Sequence, residues 1–253
     1  MNRAHWVGIL SFVWVFTLAA SGCGDGSGDP APQDAGQDMA QDTTPDMGPQ
    51  GEQACSNGVD DDEDGLVDCA DMDCRQADGC GPIIFGVDEL SQGAIGTTPG
   101  GSLHSVDALC NSKANEIPGL RGGGWVAVFG NEVETTKERV GEVEGPVYNT
   151  ANEVVIGADG NLFDPEASLQ APILDRDQQA FSSGTYMWTG SNADGTLPQG
   201  DAADTTCSGW TVSDSGSEGV AGNASSVDNW LAGPDGERAR SCAQQLGLYC
   251  LSR

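Results

Sequence analysis

Carboxylates dominate the chemistry open to this chain, and between Cys55 and Cys80 they recur at a regular spacing: CSNGVDDDEDGLVDCADMDCRQADGC. Counted from Asp60, acids stand at positions 1, 3, 5, 9 and 12 (Asp60, Asp62, Asp64, Asp68, Asp71), with Gly65 at position 6 and Leu66 at position 7. Alternate side chains at that spacing converge on one ion, the glycine permits a sharp turn, and the Leu66 carbonyl supplies a backbone ligand. Hard oxygen donors suit Ca²⁺, whereas zinc or Cu(I) would want imidazole or thiolate. Without an ion the acids repel one another, so binding and local ordering are coupled. The competing reading is an acidic disulfide knot that holds no ion.

Other chemistries lack their residues. Ten Lys and Arg against thirty-nine Asp and Glu give a net charge of -29, which repels phosphate and excludes a nucleic-acid or heparin partner. Only His5 and His104 are present, and His104, beside Ser105 at a helix start, reads as a surface residue rather than a general base. No GxSxG, HExxH or GxxxxGK[ST] occurs, and the glycine-rich stretch at 96–102 lacks a phosphate-binding lysine. The expectation is a protein that is not an enzyme. Paired carboxylates of a glycoside hydrolase are the one catalytic alternative left standing.

Three elements must carry and position the acidic loop. Residues 1–22 read as a secretory signal, with Arg3 followed by a fifteen-residue uncharged run from Trp6 to Ala20, short of the roughly twenty that span a bilayer. The ending Ala20-Ser21-Gly22-Cys23 resembles the lipobox of bacterial lipoproteins, which implies lipidation of Cys23 and a membrane attachment through that lipid. Removing Cys23 from nine cysteines leaves eight, enough for four disulfides. Residues 23–54 are rich in Asp, Gly, Pro and Gln and too poor in apolar anchors to fold, so they read as a solvated linker with a reach of about 30 Å.

Residues 55–82, the acidic unit itself, have too little apolar content to fold without staples or metal. Four cysteines allow three pairings, of which Cys55 with Cys69 and Cys74 with Cys80 is the one expected. The flanks carry Gly and Cys where an EF-hand needs helices, and Asp71 replaces its bidentate Glu. The stretch instead resembles the thrombospondin type 3 calcium repeat and related Asp-rich motifs of secreted bacterial proteins, matching at Asp60, Asp62, Asp64, Gly65, Asp68 and Asp71, with Cys74 one residue late. A single repeat is present.

Residues 83–253 form the globular part. Ile83 to Phe85 and Gly124 to Phe129 read as buried strands, and Ser105 as the cap of a helix with apolar positions Val106, Leu109, Cys110, Ala114 and Ile117, ended by Pro118-Gly119. Thr135 to Glu138 is a capping box, with Gly141 as the stop. Short strands are predicted at Val147-Tyr148, Val154 to Ile156, Tyr186 to Thr189, Trp210 to Val212 and Leu248 to Leu251, giving an α+β domain. Trp125, Trp188, Trp210 and Trp230 read as core rather than as a sugar-stacking surface.

The landmarks Ala108 to Asn111, Trp125 to Val128, Trp188-Thr189-Gly190, Cys207 to Thr211 and Cys242 through Leu248-Tyr249-Cys250 resemble a bacterial C-type lectin-like domain of the endostatin-related kind. The resemblance spans residues 83–253 and implies nested disulfides, Cys110 with Cys250 and Cys207 with Cys242. Sugar binding does not carry over, because the calcium-and-sugar tripeptide is missing; the nearest text is Leu197-Pro198-Gln199. Asn192, Asp194, Asp201 and Asp204 read as a solvated loop, with a second ion site as the alternative. Together these expectations describe a calcium-stabilised binding or adhesion protein, lipid-anchored in the bacterial envelope at the outer membrane or cell surface, with a polysaccharide or surface protein as ligand. A structural envelope lipoprotein without a ligand is the competing class.

Overall fold

A computed structural model describes residues 51–95, 103–200, 202–234 and 237–253. The signal at 1–22, Cys23, the linker up to residue 50, the glycine-rich stretch 96–102 and Asp201 lie outside the described residues.

The architecture mixes helices with a sheet, as an α+β protein does. Among the described residues there are eight strands: β1 (Ile84–Ser91), β2 (Trp125–Ala127), β3 (Val147–Tyr148), β4 (Val154–Ile156), β5 (Tyr186–Trp188), β6 (Glu218–Asn223), β7 (Ala239–Ser241) and β8 (Leu246–Ser252). The C-terminal strand β8 is the axis of the sheet. At Cys250 it is flanked by Phe85 of β1 and Ala127 of β2, both antiparallel, while Gly247 pairs with Met187 of β5 in parallel. Beyond β5 the sheet continues through β6 to β7, and β3 and β4 form a separate hairpin.

Side chains alternate across this sheet, and both faces are buried. Phe85, Trp125, Ala127, Phe129, Leu248 and Cys250 enter one apolar cluster, whereas Ile84, Val126, Val128, Tyr249 and Leu251 enter another. A strand covered on both faces needs apolar residues at every position, which is why the sequence there runs unbroken as Trp-Val-Ala-Val-Phe. The first face is covered by helix α1 (His104–Ala114) through Val106, Cys110 and Ala114. The second is covered by the β3/β4 hairpin and by Val140 of helix α2 (Thr136–Val140). Disulfides join Cys110 to Cys250 and Cys207 to Cys242, the same pairs that the resemblance implies.

Local signals fare unequally. The capping box forms at α2: Glu138 N–H donates to Thr135 Oγ1 at 3.1 Å, Thr135 N–H donates to Glu138 Oε2 at 2.9 Å, and Gly141 ends the helix with φ 87°. Ser105 does not cap α1. The helix starts at His104, with Leu103 in the cap position two residues before Ser105, and the Ser105 hydroxyl donates to the Ile95 carbonyl at 3.3 Å. Trp210 to Val212 is not a strand. Cys207, Ser208, Gly209 and Trp210 all have positive φ (49°, 54°, 68° and 61°), a left-handed turn held by the Cys207 disulfide and by the Trp210 indole donating to the Gly130 carbonyl at 2.7 Å. Two strands, β6 and β7, have no counterpart among the sequence expectations. In β6 the glycines are steric necessities: a Cβ on Gly222 would lie 1.7 Å from the Trp230 carbonyl oxygen, and one on Gly219 would lie 2.8 Å from Cys207 Sγ.

Candidate metal centre

The acidic unit is built from two 3-10 turns, Asp68–Ala70 and Met72–Cys74, and a loop of acidic side chains folded onto them. Its disulfides differ from the expected pairing: Cys55 joins Cys74 and Cys69 joins Cys80, with Cα separations of 5.4 and 5.0 Å. The cause is the fold-back of the loop. Asp68 takes the backbone N–H groups of Asn57 (2.9 Å) and Gly58 (3.0 Å), and Cys55, two residues upstream, meets Cys74 in the second turn.

The predicted acids then divide by role. Asp60 Oδ1 and Oδ2 accept the N–H groups of Asp64 (3.1 Å) and Gly65 (3.0 Å), Asp62 Oδ1 also accepts Asp64 N–H, and Asp64 Oδ1 accepts Leu66 N–H. Gly65 turns the loop with φ 104°, where a side chain would strain the backbone. Asp60, Asp62 and Asp64 bring one carboxylate oxygen each to within 4.8 Å of one another. So do Asp62, Asp71 and a residue that the spacing did not point to, Glu52. Both groups can hold a metal ion, and Asp62 belongs to both.

Asp68 joins neither group. Its carboxylate accepts from Asn57, Gly58 and the Asn152 amide (3.1 Å), so in this structure it orders the loop backbone. Leu66 enters the structure mainly through its side chain, which is 1% exposed and lies in the same apolar cluster as Phe85, Leu120 and Trp125.

Glu52 is 8% exposed; Oε2 accepts the N–H of Asp61 at 2.9 Å and Oε1 that of Asp68 at 3.2 Å. It sits in the stretch read as linker, 23–54, and is buried there. Nothing local in Gly51-Glu52-Gln53 distinguishes this acid from those of the linker, since its partners lie nine and sixteen residues away.

Asp71 is the most telling of the acids. It is 1% exposed; Oδ1 accepts Asp73 N–H at 2.7 Å, and Oδ2 is buried with no hydrogen-bond partner. A buried carboxylate oxygen without a partner is costly unless a cation neutralises it. Burial, then the charges of Asp64, Asp73 and Asp62, push the Asp71 carboxyl up to about 7. Burial likewise raises Asp62 and Asp64, reinforced by the neighbouring carboxylates. Among the described residues no Lys or Arg forms an ion pair with Glu52, Asp62 or Asp71. The arrangement is a pocket of concentrated negative charge lacking its counter-charge, with donors of the hard-oxygen type.

The unit is seated on the globular part. Besides Leu66, the Gln178 amide donates to the Gly65 carbonyl (3.3 Å), the Tyr148 hydroxyl to the Gly79 carbonyl (2.9 Å), and Gly119 packs so closely that a Cβ there would lie 2.6 Å from Asp64 Oδ1.

Elsewhere, Asp194 Oδ1 accepts from the backbone N–H and the hydroxyl of Thr196, and Asn192 bonds Thr196 and Leu197, so these two close a turn. Neither they nor Asp204 enters an acidic group among the described residues. Trp125, Trp188, Trp210 and Trp230 are all buried. No described helix is long and apolar enough to cross a membrane. No family model matches the chain, and no curated protein matches it.

Proposed function

We propose that this chain is a calcium-stabilised recognition protein of the bacterial cell envelope, attached through a lipid on Cys23, whose C-type lectin-like body binds a polysaccharide or a surface protein. The observation that carries the calcium part is the convergence of Glu52, Asp62 and Asp71 with the partnerless Asp71 Oδ2. Carboxylate oxygens without imidazole or thiolate favour a hard cation, and a flexible set of this size suits Ca²⁺ better than the smaller, octahedral Mg²⁺. The lectin-like part is supported by the pairing of the body's first strand with its last and by the bridge from α1 to β8. Recognition is preferred to catalysis because the clustered carboxylates of the acidic unit have the chemistry of a metal clamp, with His104 at the exposed start of α1.

The test is binding of the mature, unlipidated protein to an array of glycans and matrix proteins in calcium and in EDTA, with calorimetric titration of calcium into wild type and Asp62→Asn. Calcium heats that vanish in the variant, together with array binding lost in EDTA, support the reading. Equal heats in both remove the ion site. The second reading, a structural envelope protein without a ligand, is favoured by the burial of all four body tryptophans, which leaves none of them to stack on a sugar. Silence of the array under both conditions would select it.

A further inference from the structure

We propose that Glu52 is a ligand of the bound ion, and that the ion is thereby a clasp fixing the root of the amino-terminal segment to the folded part. The inference rests on the ion-site reading above and adds a mechanical consequence.

Glu52 lies upstream of Cys55, the first cysteine of the described residues, so no disulfide holds it in place. Its backbone is nonetheless seated in the acidic unit. A Cβ on Gly51 would lie 2.0 Å from Asp73 Oδ2, and Glu52 itself is almost fully buried. What holds it there is two hydrogen bonds to backbone N–H groups and the company of Asp62 and Asp71. That company is repulsive without a cation, and two N–H bonds are a small return for burying a charge. With a cation among the three carboxylates the sign reverses, and residues 51–54 are held as firmly as the ion is. Asp71, buried with its Oδ2 partnerless, belongs to the disulfide-bonded part and stays in place either way, so the ion bridges a covalently fixed acid and one held otherwise by two hydrogen bonds.

The consequence is control of access. With the ion bound, the Glu52 side chain is buried in the unit and its backbone is held against it, which denies a protease the extended chain it needs; with the ion removed, the chain is free to peel back to Cys55. Hydrolysis there, water adding across the peptide to leave a carboxylate on Glu52 and an amine on Gln53, would sever the body from whatever the amino-terminal segment is attached to.

The experiment exposes the disulfide-intact chain to a glutamate-specific endoprotease in calcium and in EDTA and follows the fragment beginning at Gln53 by intact mass. Calcium binding is measured on the same preparation by equilibrium dialysis. The expected result is cleavage after Glu52 slowed at least ten-fold by calcium, no such protection in Asp62→Asn, and calcium affinity at least ten-fold weaker in Glu52→Gln. Calcium binding to wild type with unchanged cleavage, or equal affinity in Glu52→Gln, overturns the clasp and leaves the ion site standing. Absence of calcium binding to wild type overturns both.

Discussion

The acidic unit at 51–82 and the body at 83–253 solve the same problem with different means. The body buries two apolar clusters on the two faces of one sheet and adds two disulfides, one across 140 residues. The acidic unit contributes Leu66, Cys69, Ala70 and Cys74 as its buried apolar residues, and buries Glu52, Asp68 and Asp71 as well. It is therefore held by two short-range bridges, by carboxylates that accept backbone N–H groups, and by docking of Leu66 into the body. Where apolar area is scarce, charge takes over the ordering, and charge of one sign then requires a counter-ion. The same residue type serves two ends within a few positions: Asp68 is saturated by donors, whereas Asp71 keeps a bare oxygen that a cation could take.

The largest expected effect separates the two kinds of bridge. In the chain-entropy model, replacing Cys110 and Cys250 by Ser costs about 5 kcal/mol, because the bridge closes a long loop, and replacing Cys69 and Cys80 costs about 3 kcal/mol. Chemical denaturation in excess calcium, compared with wild type, checks the ranking. An equal loss for both pairs would mean that the acidic unit and the body unfold as one, and the contrast drawn above would fail. Leu66→Ala probes that coupling from the other side. Removing a fully buried side chain that sits in the body's own cluster costs about 3 kcal/mol. The loss should register in the fluorescence of the buried tryptophans even though residue 66 lies in the acidic unit. A variant that releases the unit while leaving the main transition unmoved would show the two regions to be independent.

What the sequence discloses follows the range of the interactions. The α2 capping box is legible because all of its atoms lie within four residues, and β1, β2 and β8 are legible because burial on both faces leaves an unbroken apolar run. The candidate metal loop is legible in part: spacing points to Asp60, Asp62, Asp64 and Asp71, but it treats Asp68 as equivalent to them. Only the fold places Asn57, Gly58 and Asn152 around Asp68. Glu52 is invisible because its partners are remote and its neighbours polar. Strand β6 is hidden for a steric reason, since its glycines answer to Trp230 and the Cys207 sulfur rather than to strand propensity. The disulfide pairing of the acidic unit is set by the fold-back at Asp68, which cysteine spacing does not encode.

A smaller effect comes from Asp71. Its carboxyl titrates near 7 in the ion-free fold, far above the unfolded value of about 3.9, so between those limits the folded chain holds a proton that the unfolded chain lacks. In EDTA, stability should therefore rise as pH falls from about 7 toward 4, and Asp71→Asn should flatten that slope. In calcium the sign reverses, since the ion needs the carboxylate and protons compete with it; affinity should drop as pH falls below about 7. Thermal melts across that window, with and without calcium, show whether the two slopes have opposite signs. Parallel slopes would remove Asp71 from the ligand set.

The smallest effect belongs to the body alone and serves as the control for locality. Thr135→Ala removes the acceptor for Glu138 N–H and the hydroxyl that donates to the Glu138 carboxylate, while the backbone N–H of residue 135 still donates to it, a loss of about 1 kcal/mol for a helix cap. The Thr135 backbone N–H, followed by its hydroxyl, holds the Glu138 carboxyl below its usual range. A depressed carboxylate stabilises above its unfolded pKa and loses that contribution as pH falls through the folded value, so the gap between variant and wild type should narrow in acid. The wild-type cap is made wholly within residues 135–138, and none of these atoms touches the acidic unit. Calcium affinity should accordingly be the same in Thr135→Ala as in wild type, measured by the same titration that reads Asp62→Asn. A shift in affinity would mean that the body's helix cap and the ion communicate through the sheet, and that the division between a region ordered by charge and one ordered by apolar burial is drawn in the wrong place.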